Sequence, residues 1–155
     1  NNPMSKHELK IDRVLKSSRK NIWRCWTEPA LLEQWYCPKP WQAQEVDIDL
    51  RPGGRFNSVF CGPGDERMPL TGIWLEIIPE QRLIFTDAYS EDFWPQPESF
   101  MTGCVELSDV KDGTQMVWTA RHTSQEAVEK HLEMGFEAGW NAAAGQLEEL
   151  AKSLT

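Results

Sequence analysis

The chain has 155 residues, of which 26% are charged and 40% hydrophobic, so it is long enough for one domain with a core and too apolar for general disorder. Its formal net charge of −8 argues against nucleic acid and anionic membranes as partners, because phosphate binding needs clustered Lys and Arg. No apolar run approaches the roughly 20 residues that span a bilayer, and no signal-peptide core follows the N-terminus, so we predict a cytoplasmic protein without membrane insertion.

The four cysteines, Cys25, Cys37, Cys61 and Cys104, are widely spaced and form no Cys-x-x-Cys pair. Structural zinc sites usually show such paired spacing, and disulfides are rare in a reducing cytoplasm. We therefore predict buried or half-buried free thiols, with no structural metal and no cofactor.

Residues 1–7 are predicted to be a flexible leader, and residues 8–155 a single domain. The first element is a strand in which Leu9, Ile11 and Arg13 alternate with mostly polar neighbours and so share one face. An arginine on an apolar face either pairs with a carboxylate at the rim or anchors a ligand.

Two short helices are predicted after this strand. The first begins at Ser17 or Ser18, whose hydroxyl can cap the free backbone N–H groups, and it ends at Trp26. The second begins near Pro29, because proline suits the first turn of a helix, and it ends near Pro38.

From Ala43 the hydrophobic period changes to two, which predicts about six antiparallel strands. One strand is predicted within residues 70–78, with Trp74 on the face opposite to Ile73.

Residues 89–98 form the least regular stretch and predict a loop with exposed aromatic side chains. Strands resume over residues 99–107 and 114–122, and the sequence around Gly113 predicts the hairpin that joins them.

The stretch from Ser124 to Leu154 predicts one long amphipathic helix, capped by the Ser124 hydroxyl. Its apolar stripe needs a broad apolar partner, and the preceding strands supply one. The residues of the stripe recur at spacings of three and four: Phe136, Trp140, Ala143, Leu147, Leu150 and Leu154.

The element order predicts an α+β fold: a curved antiparallel sheet of about six or seven strands, two short helices after strand one, and a long C-terminal helix packed on the sheet. A curved sheet wrapped about a helix leaves a gap between the two layers. We therefore predict a ligand cavity in that gap.

Several segments resemble the family of homologues of the activator of the heat-shock-protein-90 ATPase, within the START-like, birch-pollen-allergen-like superfamily of helix-grip folds. Residues 27–38 resemble its T-D-P-E-x-L-x-x-W-W-x-P segment, and residues 47–56 its D-x-R-P-G-G-x-F turn. Residues 72–86 resemble G-x-x-x-E-I-x-P-x-x-R-L-x-F-T, and Gly113-Thr114 and residues 139–150 match the last hairpin and helix. The resemblance implies the fold more strongly than the function.

On this basis we predict a small-molecule-binding protein rather than an enzyme, with an apolar or aromatic ligand and a stress-related role left open. Arg13 and His122 are the predicted polar ligand contacts, and Trp94 belongs to a predicted gating loop. The alternative is that the same rings only fill the core. The remaining predicted lining is aromatic and apolar: Trp35, Phe56, Phe60, Phe85, Met116, Trp118, Phe136 and Trp140.

Two other functions remain open. No known catalytic motif occurs, yet the superfamily's polyketide cyclases and aromatases suggest an enzyme that would use Arg13 and His122. An interaction module, as a chaperone partner or a homodimer, would instead use an exposed patch of Trp41, Trp74 and Trp94.

Overall fold

The computed structural model describes residues 7–154. The flexible leader predicted for residues 1–7 therefore lies outside the described residues, except for His7. The backbone carbonyl of His7 accepts a hydrogen bond of 2.8 Å from the backbone N–H of His122, which extends the pairing of the first strand.

The chain forms ten strands: β1 (Glu8–Leu15), β2 (Gln42–Ile48), β3 (Phe56–Cys61), β4 (Arg67–Leu70), β5 (Ile73–Ile78), β6 (Arg82–Thr86), β7 (Tyr89–Ser90), β8 (Trp94–Pro95), β9 (Thr102–Val110) and β10 (Gly113–Arg121), all within residues 7–154. An antiparallel five-stranded sheet forms one layer, in the order β1-β10-β9-β6-β5. A three-stranded sheet, β2-β3-β4, continues it at the β5 edge through bridges from Pro52 to Trp74 and from Arg55 to Ile73. The predicted single sheet is thus two joined sheets.

Two short helices follow β1 as predicted, α1 (Arg19–Thr27) and α2 (Pro29–Leu32). The predicted end of the second helix near Pro38 is wrong, because α2 ends at Leu32. The Ser18 hydroxyl caps α1 by accepting a hydrogen bond of 3.1 Å from the Asn21 backbone N–H. Pro29 occupies the first turn of α2, where its missing N–H costs nothing.

The C-terminal segment is two helices, α3 (Gln125–Glu133) and α4 (Phe136–Ser153), so the prediction of one continuous helix is wrong. The break lies at Gly135, whose φ of 91° lies in the left-handed region and cannot continue a right-handed helix. The predicted cap is confirmed, because the Ser124 hydroxyl accepts a hydrogen bond of 3.1 Å from the Ala127 N–H.

The stretch predicted as one strand over residues 70–78 is also divided, between β4 and β5. The Gly72 backbone lies against the Thr86 carbonyl, where an added Cβ would come within 2.5 Å of the oxygen. A register shift between Trp74 and Glu76 then breaks the strict alternation of faces, so Trp74 and Ile77 both contribute to the core cluster. Trp74 is fully buried there, and the adjacent Ile73 is fully buried as well. Trp74 therefore cannot belong to the exposed tryptophan patch that the sequence suggested.

The core lies between the concave face of the sheet and the helices. Ala143, Ala144, Leu147 and Ala151 of α4 are buried against it, so the predicted stripe does face the sheet. Curved sheet, paired short helices and C-terminal helix together form the α+β helix-grip arrangement. Among residues 7–154, no helix is both long and apolar enough to cross a membrane.

Candidate functional site: an aromatic cavity under the C-terminal helix

A cavity of about 510 Å³ lies between the sheet and helix α4. Strands β3, β6 and β10 form its floor, and the α3–α4 junction and the segment after α2 form its walls. Its size is within the range of ligand sites in proteins. The lining residues are Tyr36, Pro38, Phe56, Ser58, Phe60, Met68, Leu70, Thr71, Gly72, Phe85, Thr86, Asp87, Phe100, Met101, Trp118, His131, Met134, Gly135, Phe136, Gly139, Trp140 and Ala143.

Stacked aromatic rings build the walls. Trp118 of β10 stacks on Trp140 of α4 with ring centroids 4.1 Å apart. Phe56 meets Phe85 edge-on at 5.1 Å. The structure brings six of the predicted lining residues to this cavity: Phe56, Phe60, Phe85, Trp118, Phe136 and Trp140.

Two methionines lie at the mouth of the cavity. Met68 of β4 is 46% exposed and Met134, in the α3–α4 junction, is 62% exposed. Unbranched methionine side chains adapt their shape readily, so this rim can accommodate entry of a ligand.

Two predicted lining residues lie behind the wall. Trp35 is fully buried, and its indole N–H donates a hydrogen bond of 2.9 Å to the Cys25 carbonyl, which anchors the ring to α1. Met116 is also fully buried within the core cluster. Both side chains therefore support the cavity from outside and do not border it.

Trp94 lies outside the cavity as well. It is 72% exposed and belongs to the small β7–β8 ribbon. Ion pairs from Arg51 and Arg55 to Glu91 fix this loop against the turn after β2. The structure thus places Trp94 on the surface and not in a gate over the site.

Arg13 connects β1 to α4. Its guanidinium donates a hydrogen bond of 2.9 Å to the Asn141 carbonyl and lies 3.9 Å from the Glu148 carboxylate. This is the rim pairing that the sequence left open, and it places Arg13 outside the cavity wall.

His122 and His131 form a buried hydrogen-bonded pair. His122 Nδ1 lies 2.9 Å from the Phe100 carbonyl oxygen, and His122 Nε2 lies 2.9 Å from His131 Nδ1. Only His131 borders the cavity. His122, the predicted ligand contact, lies behind His131 and reaches the site only through their hydrogen bond. Burial, and then the neighbouring His122, lower the pKa of His131 to about 4. His131 is therefore neutral near pH 7.

The other polar groups of the cavity are neutral or already satisfied. The Asp87 carboxylate accepts hydrogen bonds from the Ser99 hydroxyl and from the backbone N–H groups of Phe100 and Met101. Burial raises the pKa of the Tyr36 phenol, which keeps it protonated. No Lys or Arg of residues 7–154 borders the cavity.

Metal ligands are not assembled here. Within the described part of the chain, no group of three or more His, Cys, Asp or Glu side chains is placed to hold a metal ion. The two histidines bond to each other and use the nitrogens that would bind a shared metal between them.

A family model described as Activator of Hsp90 ATPase homolog 1-like protein matches residues 16–152, which is nearly the whole chain. The chain belongs to this family. The resemblance carried by its sequence motifs is thereby confirmed. A comparison with curated proteins gives no match.

Solved structures share the fold of this Activator of Hsp90 ATPase homolog 1-like chain. A Nitrosomonas europaea protein is 39% identical, with a TM-score of 0.91 and 94% of each chain covered. A Mycobacterium smegmatis protein is 27% identical, with a TM-score of 0.79, and the match covers 97% of this chain and 91% of that one. A Rhodobacter sphaeroides protein is 22% identical, with a TM-score of 0.83, and the match covers 99% of this chain and 98% of that one. At this identity the likeness shows the fold alone. The helix-grip prediction is confirmed.

In this family member, sequence reasoning missed several lining residues, among them Tyr36, Met68 and Phe100. Tyr36 directly follows Trp35, and in a short irregular turn neither strand nor helix periodicity tells which of two adjacent rings faces inward. Phe100 lies in the predicted strand over residues 99–107, but β9 begins only at Thr102, so strand alternation does not tell where its ring points. His131 was identifiable only as a possible neighbour of His122 across the turn before α3.

Proposed function

We propose that the protein binds a small, mainly apolar molecule in the cavity between its sheet and helix α4. The observation that carries this proposal is the aromatic cavity of about 510 Å³ without a bordering Lys or Arg among the described residues. Binding of an apolar ligand in such a site is favourable because the apolar surface of the ligand leaves water. The proposed contacts are Phe56, Phe60, Phe85, Trp118, Phe136 and Trp140 from the predicted set, with Tyr36 and His131 added.

Small residues on α4 support an open cavity over a filled core. Gly139 and Ala143 both border the cavity. A Cβ added at Gly139 would meet only Pro38, at 3.8 Å. The fully buried rings of Trp26, Trp35 and Trp74 fill the core, and the cavity is a separate space beside them.

The test is a fluorescence titration with N-phenyl-1-naphthylamine, a neutral probe that brightens in apolar surroundings. We expect wild-type protein to bind the probe. Gly139→Leu should weaken binding by about tenfold or more, because the leucine side chain would occupy space that the probe needs, and overfilling costs about 1–3 kcal/mol. Gly145→Leu is the matched control. It lies on the same helix, does not border the cavity, and has no atom within 4 Å of an added Cβ.

Equal affinities in wild type and Gly139→Leu would contradict the proposal, as would the absence of any binding to the wild type. If the probe binds as expected, native mass spectrometry of freshly purified protein, followed by organic extraction, would identify the natural ligand.

A cytoplasmic setting is part of the proposal, and the four free thiols support it because cysteines stay reduced there.

A second candidate function is an interaction surface, favoured by the exposure of Trp94 (72%) and Phe93 (48%). Trp74 is lost from the predicted patch, and Trp41 is half-buried. We expect Trp94→Ser to dissociate any homodimer or chaperone complex seen by native mass spectrometry, and a wild-type monomer without copurifying protein would count against this candidate.

The cyclase-like alternative depended on Arg13 and His122. Neither residue borders the cavity, so this enzyme function is not proposed on those residues.

A further inference from the structure

The histidine pair has a fixed direction. The Phe100 carbonyl can only accept a hydrogen bond, so His122 Nδ1 must carry the proton that lies 2.9 Å from it. In the neutral ring His122 Nε2 is then an acceptor, and His131 Nδ1 must donate to it across 2.9 Å. Neutral His131 consequently has no proton on Nε2, which carries a lone pair.

This lone pair belongs to the ring edge that faces away from His122. The His131 ring lies 4.8 Å from Phe100, 5.0 Å from Phe136 and 5.7 Å from Trp140, and these three rings all border the cavity. His131 is only 6% exposed, and its Nε2 has no hydrogen-bond partner among residues 7–154. Within the described part of the chain, the side-chain atoms that are fully shielded without a partner are the indole nitrogens of Trp26, Trp74 and Trp118, and His131 Nε2 is not one of them. This acceptor therefore remains accessible from the cavity, where a ligand can reach it.

The surroundings restrict the chemistry of that ligand. Without a bordering Lys or Arg among the described residues, a carboxylate or phosphate group would find no counter-charge. The hydroxyls of Tyr36 and Ser58 also border the cavity, but a hydroxyl can turn its proton either way, whereas neutral His131 Nε2 can only accept.

We propose that His131 Nε2 is the polar anchor of the cavity and accepts a hydrogen bond from the un-ionised hydroxyl of an otherwise apolar ligand, such as a phenol or fused-ring aromatic alcohol. His122 is a positioning residue, which sets the tautomer of His131 through the Phe100 carbonyl. This inference rests on the proposed function and names its ligand class.

The experiment compares 2-naphthol with 2-methoxynaphthalene by isothermal titration calorimetry near pH 7.5. The two molecules share the ring system, but only naphthol can donate a hydrogen bond. We expect the wild type to prefer naphthol by about five- to tenfold, the usual worth of one net hydrogen bond. His131→Phe keeps an aromatic ring among Phe100, Phe136 and Trp140 and should abolish the preference for naphthol over 2-methoxynaphthalene.

His131→Gln is the second variant, because its amide oxygen retains an acceptor near the position of Nε2. We expect it to keep part of the preference for naphthol, which a merely structural role of His131 would not produce. Equal wild-type affinities for the two compounds, or a preference that survives in His131→Phe, would overturn the hydroxyl inference while the hydrophobic cavity stands. Binding of neither compound by the wild type would overturn the proposed function together with this inference.

Discussion

His131 couples the stability of the fold to pH. Its pKa falls from 6.5 to about 4 on folding, because burial disfavours the charged ring. The unfolded chain then binds the proton more readily, so the contribution of His131 is complete above about pH 6.5 and is lost as the pH falls toward 4. We expect the free energy of unfolding, from urea denaturation, to fall by up to about 1.4 kcal/mol per pH unit in that window from this group alone.

The control for this prediction is His131→Phe, which has no proton to bind at that position. All other residues are common to both proteins, so only the difference between the two stability profiles reports on His131. The difference should be constant above about pH 7 and should shift in favour of the variant below about pH 6. Parallel profiles from neutral pH down to pH 4 would contradict the assigned shift.

Two cysteine thiols are predicted to be unreactive in the native protein. Burial raises the pKa of Cys25 to about 12 and that of Cys37 to about 11, so almost no thiolate is present at neutral pH. Iodoacetamide near pH 7.5, followed by peptide mass mapping, should label half-buried Cys61 first and label Cys25 and Cys37 only after unfolding. Equal labelling of all three in native protein would refute this protection.

At the scale of elements, two glycines of the C-terminal segment predict opposite effects of the same substitution. Gly145 lies inside α4 at an ordinary helical φ, so Gly145→Ala should raise the free energy of unfolding by up to about 1 kcal/mol. Gly135 ends the α3–α4 junction at φ 91°, so Gly135→Ala should lower it by about 1 kcal/mol or more. Urea denaturation of both variants measures the difference, and stabilisation by Gly135→Ala would show that the junction is helical in solution.

This junction also shows what the sequence was able to predict at the scale of elements. The stripe from Phe136 to Leu150 correctly predicted which face of α4 packs on the sheet. Gly135 fitted the same helical spacing, and a period alone does not reveal that its backbone is left-handed. The inward turn of Trp74 was hidden for a similar reason, since a bulge shifts the alternation of a strand without changing its composition.

At the scale of the whole molecule, the layers and the existence of a cavity followed from the order of strands and helices. The sequence identified the chemical character of the wall, because aromatic residues on facing elements, such as Trp118 and Trp140, must meet between the layers. It did not separate wall from core. That distinction depends on packing: Trp35 and Trp118 have the same ring and lie 5.8 Å apart, yet only Trp118 borders the cavity.

A ligand in this cavity would touch both layers at once, so it should stabilise the whole fold and not one element. Binding to the native state alone adds about 2.7 kcal/mol at a free ligand concentration one hundred times Kd. We expect N-phenyl-1-naphthylamine at that ratio to raise the free energy of unfolding of wild-type protein by this amount. The urea midpoint should rise accordingly, with no change in the slope of the transition.

Gly145→Leu should show the same gain as the wild type, because position 145 lies away from the cavity. Gly139→Leu at the same concentration of ligand should gain at least about 1 kcal/mol less, since its filled cavity binds about tenfold more weakly or worse. An equal gain in Gly139→Leu would mean that the probe stabilises the protein from another surface. In that case the probe would not occupy the aromatic cavity, and the sheet and helix α4 would be held together by side-chain packing alone.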